Sequence, residues 1–137
     1  MTRPITALVC AASLLAGSAL ADHSRFDTLS LTVTPISAAQ FEVIEARGAG
    51  ARDIWCAASR YAADRLGASR GRLYVATPRG PARTAPGRTG VIFTTAAPTG
   101  AAPTGLSVTV RRAGASLPIN HAIQFCRDHI IEPADRL

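Results

Sequence analysis

A single pair of cysteines constrains this chain more than any other feature. The 137-residue sequence holds three cysteines, but Cys10 lies in a stretch that reads as a cleavable secretory leader. Arg3 gives a positive start, residues 5–15 form an apolar run that includes Leu8, Val9, Leu14 and Leu15, and Ala19-Leu20-Ala21 has the small-x-small form that signal peptidase accepts. The apolar run is short for a membrane span, and Pro4 and Gly17 flank it poorly. No twin-arginine pair is present, so the general secretory route is expected. Val9 stands before Cys10 where lipidation wants a small residue. Residues 1–21 are therefore expected to be removed, leaving residues 22–137 as one domain without a transmembrane segment. Cys56 and Cys126 then remain, an even number in a chain bound for an oxidising compartment, and are expected to bond to each other. The alternative is two buried thiols.

The spacing of apolar residues places these cysteines on two helices. Residues 25–34 alternate, with Leu29, Leu31 and Val33 on one face and threonines and serine on the other, and Pro35 ends this first strand. Residues 40–46 form a second strand with Phe41 and Val43 on one face. Asp53 caps a helix that runs to about Leu66 and stops at Gly67, with Trp55, Ala58, Ala62 and Leu66 facing the core and Cys56 at its flank. Trp55 reads as a core residue beside the cysteine rather than as the lining of a ligand pocket. Residues 71–77, 90–95 and 105–111 are expected as strands three to five, the last with Leu106, Val108 and Val110 aligned. A final helix is expected over 118–130, with Ile119, Ala122, Ile123, Cys126 and Ile130 as its apolar stripe. The order ββαβββα with short connections predicts an α+β fold, an antiparallel sheet of about five strands with two helices on one face.

The pattern Phe41-Glu42-Val43-Ile44, Gly48-Ala49-Gly50, Trp55-Cys56-Ala57-Ala58 and Tyr61-Ala62 resembles a group of small secreted bacterial proteins of uncharacterised function. The similarity continues through Arg72-Leu73-Tyr74-Val75, Arg79-Gly80-Pro81, Pro86-Gly87-Arg88, Val91-Ile92-Phe93-Thr94 and Ala122 with Cys126. The resemblance implies a secreted single domain with paired cysteines and transfers no chemistry.

Charge is distributed unevenly. All 15 basic residues are arginine. Residues 22–64 carry six acids and four arginines, residues 65–127 carry nine arginines and no acid, and residues 128–137 carry three acids and one arginine. If the nine gather on one face they make a positive field; the alternative is that they are scattered, or pair with the acids of the first segment. The densest group surrounds a Pro/Gly-rich loop at 78–89, where Arg79, Arg83 and Arg88, flanked by Arg70 and Arg72, form a candidate anion-binding surface. An acidic envelope polymer, a lipid head group or an acidic protein fits such a surface. Nucleic acid is disfavoured by export and by an aromatic content of only 5%, too few rings to stack bases.

Enzymatic signatures are weak. His121 and His129 are eight residues apart on the last helix, about 12 Å along its axis, too far to share a metal ion alone. His23 lies at the expected mature terminus. None of Ser24, Ser37, Ser59, Ser69, Ser107 and Ser116 sits in a nucleophile elbow. Asp128 and His129 are adjacent on a helix and point apart by about 100°. Glu42 and Glu45 fall on opposite faces of the second strand, with nothing to mark them beyond solvation. No metal and no cofactor is expected. The leading expectation is a secreted or periplasmic, non-enzymatic binding or accessory protein that engages an anionic partner through the arginine-rich loop. The alternative is a small hydrolase with its site near the C-terminal helix.

Overall fold

In the computed structural model, residues 31–100 and 106–127 are described, and the alternation of the strands sets their architecture. Strands β1 (Val33–Pro35), β2 (Gln40–Ile44), β3 (Arg72–Pro81), β4 (Thr89–Thr94) and β5 (Ser116–Pro118) form one antiparallel sheet in the order β1-β2-β4-β3-β5. The register pairs Phe41 with Phe93, Val43 with Val91, Val75 with Phe93 and Leu73 with Leu117, so one face is a continuous apolar surface. Helix α1 (Ala51–Leu66) covers it with Ile54, Trp55, Ala58 and Ala62. The short helix α2 (Ile119–Ala122), continued by a 3-10 segment (Ile123–Arg127), adds Ile119, Ala122 and Phe125 to the same core. The mixed α+β order ββαβββα is thus present. The expected leader at 1–21, the start of the expected first strand before 31, His23, Asp128, His129 and Ile130 lie outside the described residues.

Local chemistry explains α1. The Asp53 carboxylate accepts the Gly50 N–H at 2.7 Å and puts a negative charge at the helix N-terminus. Gly67 takes the left-handed conformation (φ 64°), and the next residue, Ala68, donates its N–H to the Ala62 carbonyl at 2.9 Å. The alanines at 57, 58, 62 and 63 keep the helix slim against the sheet. Trp55 is wholly buried, meets the Phe93 ring edge-on at 4.9 Å and donates its indole N–H to the Val108 carbonyl at 2.9 Å. Cys56 sits half-buried at the helix flank and is bonded to Cys126, with Cα atoms 5.1 Å apart. That distance is ordinary for a disulfide.

Three elements differ from the sequence reading. Leu106 to Val110 is not a strand; the fifth strand is Ser116–Pro118. Leu106 and Val108 are exposed, and only Val110 is buried. The hydroxyls that looked like the polar face of a strand instead bind the backbone locally: Ser107 Oγ accepts from Thr109 N–H at 3.4 Å and Thr109 Oγ1 from Arg111 N–H at 3.2 Å. Such contacts compete with a ladder, and the Trp55 indole has claimed the Val108 carbonyl. The second difference is that β3 runs on to Pro81, so the loop expected at 78–89 shrinks to a tip at 82–88. Prolines are tolerated there because the register with β4 shifts between Val75 and Thr77 and again between Thr77 and Gly80, which frees the ladder from needing an N–H at Pro78. The last helix is likewise shorter and tighter than a regular helix over 118–130: only Ile119–Ala122 is α-helical before the 3-10 segment begins.

Candidate functional site

The β3–β4 tip carries the most organised polar cluster of the described residues. Its root is Glu42, on the sheet face opposite the helices and only 1% exposed. Glu42 Oε1 accepts the Arg83 N–H at 2.8 Å, and Oε2 accepts the Thr84 N–H at 2.7 Å and the Thr84 hydroxyl at 2.6 Å. Burial alone pushes the Glu42 carboxyl up. The Thr84 hydroxyl, the N–H groups of Arg83 and Thr84, and the Arg83 guanidinium outweigh it and hold the group below the usual carboxylate range. The tip also closes on itself: Ala82 N–H donates to the Arg88 carbonyl at 2.8 Å and Arg88 N–H to the Ala85 carbonyl at 3.1 Å.

Beside the tip lies the turn from β2 into α1, where Arg47 takes a left-handed conformation (φ 56°). An open cleft of about 360 Å³ separates the two, lined by Glu45, Ala46, Arg47, Gly48, Gly87, Arg88 and Thr89. Arg88 donates to the Glu45 backbone carbonyl at 2.9 Å across it. Arg79, on β3, forms an ion pair with the Glu45 carboxylate, and both side chains are half-buried. Arg47, Arg83 and Arg88 are exposed around this end of the sheet.

The five arginines singled out from the sequence are therefore not one group. Arg79, Arg83 and Arg88 share the tip end. Arg70 precedes β3 and Arg72 opens it, seven residues from Arg79 and so roughly 20 Å away along the strand. Arg72 is committed locally, donating to Ser116 Oγ at 3.0 Å. Arg79 follows the pairing alternative, since its partner Glu45 belongs to the acidic first segment. The structure adds Arg47 and Glu42, which the sequence reading missed. Glu42 contacts residues more than 40 positions away, so no local spacing signals it.

At the last helix, His121 is exposed and its ring meets Phe125 edge-on at 5.7 Å, and the Arg52 guanidinium lies over the same Phe125 ring at 5.4 Å from its centroid. Among the described residues no hydrogen bond joins His121 to a serine or a carboxylate. Nor does any group of three or more His, Cys, Asp or Glu residues there stand close enough to hold a metal ion. No described helix is long and apolar enough to cross a membrane. Comparison with protein-family models, with curated proteins and with solved structures finds no match for the chain.

Proposed function

We propose that this chain is a secreted or periplasmic, non-enzymatic binding or accessory protein whose β3–β4 tip engages an anionic partner. The observation that carries this reading is the exposure of Arg83 and Arg88, with Arg47 across the cleft, on a tip anchored to the sheet by a buried carboxylate. Arginine forks suit phosphate, sulfate and carboxylate groups, and a tip already held in place loses little entropy on binding. An acidic envelope polymer, a lipid head group and an acidic protein all present such groups. The bonded cysteine pair supports an oxidising compartment, as does the leader-like stretch at 1–21. On this reading the exported protein begins at Asp22. Intact-mass measurement of exported material tests the point, and retention of Met1 there would refute it.

Binding to an immobilised sulfated polysaccharide tests the tip. The double variant Arg83→Ala/Arg88→Ala is expected to bind roughly tenfold to thirtyfold more weakly at low salt, taking about 1 kcal/mol per arginine near an anionic surface. Its stability should stay within about 0.5 kcal/mol of wild type, as for most surface changes. Wild-type binding should also weaken steeply with added salt. Arg79→Ala should behave differently, losing about 1–2 kcal/mol of stability because half-buried Glu45 is left without its partner. A double variant that binds like wild type removes the tip as the binding site.

A further inference from the structure

We propose that Glu42 is the positioning residue of this surface: a built-in anion that occupies the backbone seat of the tip and so sets where Arg83 and Arg88 stand. The inference rests on the tip being the binding site. Consecutive backbone N–H groups converging on one anion form a nest of the kind that usually receives an external phosphate or carboxylate. Here the N–H groups of Arg83 and Thr84, with the Thr84 hydroxyl, converge on a carboxylate that belongs to the sheet itself. Glu42 lies on β2, paired on both sides by β1 and β4, so the seat is referenced to the stiffest part of the fold.

Gly90 makes the arrangement possible. Lying on β4, it pairs with Ile44 of β2, and a Cβ there would stand 2.9 Å from Glu42 Oε1, 3.1 Å from Glu42 Cγ and 3.2 Å from the Ala82 Cβ. Any side chain at this position collides with the carboxylate or with the start of the tip. With the seat filled from inside, an external anion meets the guanidinium groups rather than the backbone. The remaining hydrogen bonds of residues 82–88 run within the tip itself or from Arg88 to the Glu45 carbonyl, so Glu42 is the tie that reaches Arg83 and Thr84 from the sheet.

Glu42→Gln separates positioning from simple electrostatics, because the two act in opposite directions. Removing a negative charge beneath a cationic tip strengthens attraction to a polyanion if charge alone matters. If Glu42 positions the tip, the same change weakens binding, since an amide presents an NH₂ group toward donors and the tip must be ordered on binding. Binding of the full chain to the sulfated polysaccharide is expected to fall roughly fivefold in Glu42→Gln, with the near-ultraviolet signal of buried Trp55 unchanged. Equal or tighter binding overturns the proposal. If Arg83→Ala/Arg88→Ala weakens binding and Glu42→Gln does not, the tip is the site and Glu42 does not position it. If neither weakens binding, both readings fall. Should Glu42→Gln lose the Trp55 signal, Thr84→Val is read in its place: it keeps the carboxylate and removes one donor, and a loss of roughly threefold is expected, with no change counting against the proposal.

Discussion

Replacing Cys56 and Cys126 together by serine is expected to lower the unfolding free energy by about 4 kcal/mol and the melting temperature by roughly 15–30 °C. The bond joins residues 70 positions apart, and the loop it closes contains β3, β4 and β5. Constraining so long a loop removes much of the freedom of the unfolded chain, which is the source of the figure. The native side changes less. Ile119, Ala122 and Phe125 pack on α1 and the sheet through apolar contacts that serine at 126 leaves in place. The variant should therefore fold to the same structure with a lower urea midpoint, and reductant should move the wild-type midpoint the same way. A midpoint that moves with neither treatment would show that the pair contributes nothing to stability.

Glu42→Ala should cost about 2–4 kcal/mol, because it strands the N–H groups of Arg83 and Thr84 and the Thr84 hydroxyl and leaves a void in a closed part of the sheet face. Gly90→Ala attacks the same contact from the other side and should cost about 1–3 kcal/mol through overpacking. The ionised carboxylate also ties stability to pH. Its folded pKa lies below the ordinary range, so the folded state holds this proton less tightly than the unfolded chain does. The contribution is complete above roughly pH 5, where unfolded glutamate is ionised, and is lost as pH falls through the folded value. Urea midpoints measured from neutral to acid pH should fall less steeply in Glu42→Gln than in wild type. Parallel curves would mean that Glu42 adds nothing to acid sensitivity.

Much of the core was readable from residue order. Phe41 and Val43, Val91 and Phe93, and Trp55, Ala58 and Ala62 all lie where period-two and helical spacing put them, and the expected pairing of Cys56 with Cys126 matches the bond that formed. These features follow from which side of one element must be apolar, and that information is local. The errors arose where a local pattern was compatible with two backbones. Leu106, Val108 and Val110 alternate like a strand, yet the hydroxyls of Ser107 and Thr109 and the indole of Trp55 took the backbone groups that a ladder needs.

The candidate site divides along the same line. The arginine excess and the Pro/Gly-rich connection are properties of the chain read in order. Their grouping is not: β3 spans ten residues and so holds Arg72 and Arg79 toward opposite ends, and it reaches that length because shifted register accommodates its prolines. Glu42 and Glu45 looked alike as exposed acids of one strand. Pairing β2 with β4 brought the tip over one and Arg79 against the other, and turned both into fixed partners. A carboxylate's role depends on which donors reach it, and here every donor comes from more than 30 residues away in the sequence. Alternation and capping are therefore written along the chain, whereas the anchoring of the tip exists only once the strands have paired.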